Sequence, residues 1–212
     1  MEDVGRDAPP LSGRTTVARL PYLSPDDLPG SERELLDRPI NLFRALAHSP
    51  DGLRPLQAMG EWIRHGSRLD PRLRELAILQ VAWCSVSAYA FSHHVLIARQ
   101  NGVTDRDIDD SVADAQGQPN GLHEDVRCVL QAARELAADT TLADDTWRRL
   151  EKCLDNEQLV DLVLVITYYA QVVRVLGALR IDVEDEFSSA LERFPLPLGG
   201  EAPVDTPGHR PR

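Results

Sequence analysis

Two long apolar runs constrain the fold of this chain more than any other feature of its sequence. They are LDPRLRELAILQVAWCSVS at 69–87 and EQLVDLVLVITYYAQVVRVLGALR at 157–180. The second run is apolar nearly all round, which predicts a buried central helix, although its many β-branched residues leave a strand there as an alternative. Elsewhere the apolar residues recur with helical spacing, and no run alternates as a half-buried strand does. The sequence therefore predicts an all-α protein.

Local signals bound the expected helices. Asp70 is a good N-cap and Pro71 suits the first helical position, Asn101-Gly102 is typical of a helix end, and QGQPNG at 116–121 predicts a loop. We expect helices at residues 39–50, 53–65, 70–86, 89–100, 105–114, 122–138, 144–154 and 157–180. A single domain buries one very apolar helix easily, so two of them indicate a subunit interface formed by the helices at 70–86 and 156–179.

The 212 residues are enough for one domain with a sizeable core. Both ends mix proline, glycine and charged residues, a composition typical of irregular structure. We expect an N-terminal extension at 1–30 that is partly irregular, an all-α domain at 31–194, and a flexible tail at 195–212.

Charge and cysteine content exclude several classes of function. The formal net charge of −11 argues against binding to nucleic acid or to an anionic membrane. The first residues, MEDVGRDAPP, are acidic and proline-rich, unlike a secretory signal. Cys84, Cys128 and Cys153 form no CxxC pair, which indicates reduced thiols and a cytoplasmic protein.

A cluster of polar residues lies in the stretch WCSVSAYAFSHHVLIAR at 83–99. Adjacent helical residues point about 100° apart, so His93 and His94 cannot both bind one metal ion from the same face, and we expect no metal site. His94 lies on the apolar side, where a histidine is more often a core residue than a catalyst. His93 is expected at the rim or in solvent. Glu75 is either an exposed first-turn glutamate or a buried carboxylate that needs a partner.

The segment at 69–108 resembles the carboxymuconolactone decarboxylase and alkylhydroperoxidase D-like superfamily. The resemblance lies in RLRE, an apolar run, Tyr-x-aromatic, a histidine and then IARQNGVTD. It extends in both directions to cover 39–180. This resemblance implies an all-α helical bundle whose central helical hairpin packs into an oligomer, usually a trimer or hexamer.

The same resemblance implies a site. With His94 as the family histidine, Glu75 takes the family glutamate position, and the two cysteines of the peroxidase branch fall on Ser87 and Ala90. The decarboxylase branch has a Tyr-Glu-Trp pattern where this chain has YAF at 89–91. The chain therefore lacks the thiol pair and the second carboxylate, which indicates a larger and more apolar pocket.

We expect a cofactor-independent enzyme that performs acid/base chemistry on a small carbonyl or lactone compound, such as decarboxylation, isomerisation or cyclisation, and that belongs to secondary metabolism. His94 is the expected general acid or base and Glu75 orients it. Tyr89 or Tyr169 is expected to donate a hydrogen bond to a developing enolate. The expected substrate pocket consists of Ser87, Ala90, Phe91, Trp83 and Tyr169. The alternatives are a non-catalytic oligomeric scaffold or ligand-binding protein and, less favoured, a redox enzyme that uses Cys84.

Overall fold

The structure is a computed structural model that describes residues 18–197, and within this range it contains helices and no strand. The α-helices are α1 (Asn41–Leu46), α2 (Pro50–His65), α3 (Pro71–Cys84), α4 (Ala88–Gln100), α5 (Asp105–Ala115), α6 (Glu124–Ala138), α7 (Asp144–Leu150), α8 (Asn156–Leu179) and α9 (Ser188–Arg193). Short 3-10 turns occupy Pro25–Asp27, Arg33–Leu36 and Asp185–Phe187. The all-α prediction is confirmed.

Helix α3 is the centre of the domain. It begins as its sequence indicates, because the Asp70 carboxylate accepts hydrogen bonds from the backbone N–H groups of Arg72 and Leu73. Helices α4, α6 and α8 pack around it, and every side chain at 73–83 is buried. One subunit therefore covers the side chains at 73–83, and only the ends of the segment 70–86 remain accessible. A subunit interface through this segment stays a prediction.

Residues 156–179 form helix α8 and not the strand that their β-branched residues had left as an alternative. Asp155 caps it by accepting a hydrogen bond from the backbone N–H of Gln158. One side packs into the core, whereas Val160 and Leu164 on the other side are 57% and 36% exposed. By length and composition α8 could cross a membrane, a test that the core helix of a soluble protein also passes.

The start of the domain differs from the expected pattern. Helix α1 ends at Leu46, and Pro50 opens α2 instead of ending the helix before it. The fixed φ of proline and its missing N–H suit a first helical position, which explains the difference.

The start of the described chain reaches the end of α8. Residue 19 donates a backbone hydrogen bond of 2.9 Å to the carbonyl of residue 179 at the end of α8, so the expected extension is joined to the domain from residue 18 onward. Residues 1–17 of that extension, and residues 198–212 of the expected tail, lie outside the described part.

A tight turn makes α3 and α4 into an antiparallel hairpin. Val86 in this turn has a φ of +49°, a left-handed conformation that is uncommon for a β-branched residue. The Ser87 N–H donates to the Ala82 carbonyl over 2.9 Å, which closes the turn. The hairpin brings the first turns of α3 beside the middle of α4.

Candidate active site

Glu75 and His94 meet across this hairpin. Nδ1 of His94 lies 2.8 Å from Oε2 of Glu75, which is only 1% exposed. Since a carboxylate only accepts, Nδ1 carries a hydrogen, so that in the neutral imidazole Nε2 keeps the lone pair. Nε2 makes no hydrogen bond with any residue of the described chain, and this atom is not fully buried. The pair therefore presents one basic nitrogen.

Arg74 holds the other side of the carboxylate. Its Nε donates to Oε1 of Glu75 over 3.0 Å, and its guanidinium also donates to two carbonyls at the end of α2 and to Asn101. Burial alone would raise the pKa of Glu75, but the hydrogen bond from His94, the charge that His94 carries when protonated and the charge of Arg74 outweigh burial and hold that pKa below its usual value. Of the two sequence-based readings of Glu75, the buried and partnered carboxylate is correct.

The His94 imidazole opens onto a cavity between α1, α2, α4 and α8. Its volume is about 60 Å³, room for roughly four water molecules, and counting the open mouth it reaches about 570 Å³. Apolar side chains form most of the wall and a few polar groups converge on it, as in small-molecule sites. The lining residues are Arg38, Ile40, Leu42, Phe43, Gln57, Gly60, Arg64, Tyr89, Ala90, His93, His94, Ile97, Tyr168, Tyr169, Val172 and Leu176.

Two tyrosines of α8 line the cavity beside His94. The Tyr169 ring meets the imidazole edge to face, with 4.7 Å between ring centroids. Burial, and then the nearby charge of Glu75, raises the pKa of Tyr169, and burial raises the pKa of Tyr168 to about 12. Both hydroxyls therefore keep their protons at neutral pH. Tyr168 donates to the Leu56 carbonyl over 2.9 Å, whereas the Tyr169 hydroxyl has no hydrogen-bond partner among residues 18–197.

Tyr89 lines the cavity too, but its hydroxyl already donates a hydrogen bond. It donates to Oε1 of Glu184 over 3.0 Å and accepts from the Leu42 N–H over 3.1 Å. Burial, and then the charge of Glu184, raises the pKa of Tyr89. Of the two tyrosines considered as donors to a developing enolate, Tyr169 is the one whose hydroxyl is free.

His93 is the clearest departure from the sequence analysis. It is 4% exposed, not at a solvent rim, and its Nε2 lies 2.8 Å from Oε2 of Glu184. Its ring stacks between those of Tyr89 and Phe187, with centroid distances of 4.2 and 3.7 Å. The segment after α8, which follows the last helix expected from the sequence, folds over α4 and buries this face.

Three predicted pocket residues lie away from the cavity. Ser87 is the half-buried N-cap of α4. Trp83 and Phe91 line a separate cavity of about 10 Å³ against α5, because Phe91 follows Ala90 and so points about 100° away around the helix. Of the expected pocket residues, Ala90 and Tyr169 therefore line the cavity beside His94, whereas Ser87, Trp83 and Phe91 do not. Their role in binding a substrate stays a prediction.

No cysteine of the described chain lines the cavity. Cys84 is half-buried and accepts a hydrogen bond from Gln80. Burial raises the pKa of its thiol, which keeps the less nucleophilic protonated form at neutral pH. Among residues 18–197 there is also no group of three histidine, cysteine or acidic side chains placed to hold a metal ion.

Solved structures of other proteins have a similar fold. An uncharacterized peroxidase-related protein from Ralstonia eutropha JMP134, described as an alkylhydroperoxidase AhpD core, has a TM-score of 0.69 at 20% identity over 82% of this chain and 96% of that one. A cysteine-to-alanine variant of the debrominase Bmp8, in complex with 2,3,4-tribromopyrrole, has a TM-score of 0.68 at 16% identity over 85% of this chain and 97% of that one. At these identities the likeness establishes the fold alone.

Sequence comparison finds a family match for one segment of the chain. A search of curated proteins found no match. Residues 50–118, which contain Glu75, the α3–α4 hairpin and His94, match the model of the carboxymuconolactone decarboxylase family. The matched segment and the AhpD-like fold together support assignment to the carboxymuconolactone decarboxylase and alkylhydroperoxidase D-like superfamily.

Proposed function

We propose that this protein is a cofactor-independent enzyme that performs acid/base chemistry on a small carbonyl or lactone compound, in a reaction such as decarboxylation, isomerisation or cyclisation. One observation carries the proposal. His94 is bonded to a buried carboxylate through Nδ1, while its Nε2 is free beside the cavity. A general base needs this arrangement of one fixed and one available nitrogen.

Each member of the buried cluster has a distinct task. His94 Nε2 removes a proton from a carbon next to the substrate carbonyl. Glu75 fixes the tautomer and stabilises the imidazolium that forms, as an orienting carboxylate does in other acid/base sites. Arg74 keeps Glu75 ionised and ties it to the end of α2.

Tyr169 is the proposed donor to the developing oxyanion. Its hydroxyl is protonated, lies on the same wall as His94 and has no partner within residues 18–197. A donor that is already in place stabilises charge as it forms. The cavity wall also carries Leu42, Phe43 and Val172, which suit the hydrocarbon part of a small substrate.

The alternatives fit the site less well. A scaffold gains nothing from a buried ionised cluster, because replacing such a cluster with apolar residues often stabilises a protein. Thiol chemistry would need a cysteine at the cavity, and Cys84 lies elsewhere. The free thiols Cys84, Cys128 and Cys153 favour a cytoplasmic setting, and we further propose assembly into a trimer or hexamer.

The test is exchange of substrate protons. We would incubate a panel of small ketones, β-keto acids and lactones with the protein in D₂O and follow loss of the α-proton signal by NMR. His94→Gln should slow exchange by about 10²- to 10⁴-fold, and Glu75→Gln should slow it less. Adding Glu75→Gln to His94→Gln should cost little more, because the two residues act as one unit.

His123→Gln is the matched control, since His123 is exposed and its side chain makes no capping hydrogen bond. Circular dichroism and light scattering would establish that each variant folds and assembles normally. Exchange at the unmodified rate in intact His94→Gln, or no exchange of any panel member by the unmodified protein, would overturn the proposal.

A further inference from the structure

A second carboxylate–imidazole pair opens onto the same cavity. His93 and His94 both line it. His93 is hydrogen-bonded through Nε2 to Glu184, and His94 is hydrogen-bonded through Nδ1 to Glu75. The remaining nitrogen of His93, Nδ1, has no hydrogen-bond partner among residues 18–197 and is not an enclosed atom. Two imidazoles, each anchored by a different nitrogen, therefore serve one small space.

The surroundings of the two carboxylates differ in charge. Glu75 is shared between His94 and the Arg74 cation, with an Nε–Oε1 distance of 3.0 Å. Glu184 accepts from His93, from the Tyr89 hydroxyl and from the Asn41 N–H over 2.7 Å, and within residues 18–197 it forms no ion pair with an arginine or lysine. Apart from His93, its partners are uncharged.

The two carboxylates therefore differ in how strongly they stabilise a positive charge on the imidazole that they hold. A carboxylate that no fixed cation neutralises stabilises positive charge on the group bonded to it, whereas Arg74 already neutralises Glu75. The other cations lining the cavity are Arg38 and Arg64, and Arg64 pairs with Glu61 over 2.9 Å. Within residues 18–197 neither of them forms an ion pair with Glu184.

We propose that His93, held by Glu184, is the proton donor of this cavity and that His94 is its base. The inference rests on the proposed function and narrows it to one substrate class. The cavity takes a small enolisable carbonyl compound with a carbon–carbon double bond, and moves a proton from one carbon to another.

The proton and electron balance closes without a further reactant. His94 Nε2 takes the proton from the carbon between the carbonyl and the double bond, and the C–H electron pair forms an enolate whose oxygen accepts from Tyr169. His93 Nδ1 then donates its proton to the far carbon of the dienolate. The double bond shifts into conjugation, His94 is left protonated and His93 neutral, and exchange with water restores both.

Histidine ¹⁵N chemical shifts test the charge assignment without any substrate. In a long-range ¹H–¹⁵N correlation spectrum at neutral pH, His93 should show the shifts of an imidazolium. His94 should show those of a neutral ring with hydrogen on Nδ1. Glu184→Gln should convert His93 to the neutral form and leave His94 unchanged, with the exposed Glu186→Gln as the matched control. A neutral His93 beside a protonated His94 in the unmodified protein would overturn the assignment.

A β,γ-unsaturated cyclohexenone tests the catalytic role, because its conjugated isomer absorbs in the ultraviolet. His93→Gln should lower the isomerisation rate by about 10²- to 10⁴-fold while α-proton exchange into D₂O continues. His94→Gln should lower both rates.

Isomerisation at the unmodified rate in folded His93→Gln would overturn the inference and leave the base role of His94 intact. If the unmodified protein exchanged no α-protons, the proposed function would be refuted, and with it the catalytic role of His93. The ¹⁵N spectrum would still decide whether the two histidines carry the assigned charges.

Discussion

Replacing Arg74 with methionine is the most direct test of how the site is held together. The guanidinium donates to Oε1 of Glu75 at 3.0 Å, to the carbonyls of Ile63 and Arg64 at 3.3 and 3.2 Å, and to Oδ1 of Asn101 at 3.3 Å. Methionine can fill the place of the arginine stem but supplies none of these donors. Arg74 is 4% exposed, so water cannot readily replace it.

The expected loss of unfolding free energy is large. Removing one partner of a buried ion pair costs about 3–5 kcal/mol, and for a domain of this size about 4 kcal/mol corresponds to a Tm roughly 8–16 °C lower. Urea unfolding followed by circular dichroism would measure the difference. The control is Arg148→Met, where an arginine with a 65% exposed side chain pairs with Asp145, and it should change stability by no more than about 0.5 kcal/mol. A loss below about 1 kcal/mol for Arg74→Met would refute the reasoning.

The same variant should have a distinctive pH dependence. The pKa of Glu75 in the folded protein is held below its usual value of 4.5, so its ionisation stabilises the fold above that pH. The contribution is lost as pH falls through the folded-state pKa. Arg74→Met removes one of the charges that lower this pKa, so the stability difference between variant and unmodified protein should narrow below about pH 4.5.

Two further predictions concern thiol chemistry and assembly. Cys84→Ser should leave α-proton exchange unchanged. Neither the unmodified protein nor the variant should consume peroxide in the presence of a dithiol. Peroxide consumption by the unmodified protein that Cys84→Ser abolishes would support a redox enzyme that uses Cys84. Light scattering should show an oligomer at micromolar concentration that Val160→Glu weakens, because Val160 and Leu164 form the exposed apolar side of α8; a folded monomer in the unmodified protein would contradict the assembly.

The parts of the fold that follow from local chemistry could be read from the sequence. Asp70 and Pro71 mark the start of α3, and Thr104 caps α5 by accepting from the Asp107 N–H. The pairing of Glu75 with His94 was also accessible, because only 19 residues and one hairpin separate them and the family register places both.

The second pair could not be read in this way. His93 and Glu184 are 91 residues apart, and periodicity describes a helix face without saying what covers it. Glu184 lies in an irregular segment with no strong pattern, so its position depends on tertiary packing. Trp83 and Phe91 were misplaced for a related reason, since adjacent helical positions serve different neighbours and the sequence does not say which neighbour lies where.

The contact between the start of the described chain and the end of α8 has a consequence for biosynthesis. The α3–α4 hairpin, with Glu75 and His94, leaves the ribosome early and can fold from local contacts. Residues 181–187 are made later and hold the segment that leads into α1, since Asp182 accepts from the Tyr22 hydroxyl and Glu184 accepts from the Asn41 N–H. A nascent chain stalled within α8 would therefore contain His94 but lack Glu184, which holds His93, and the site would become complete only after the residues that follow α8 have been made.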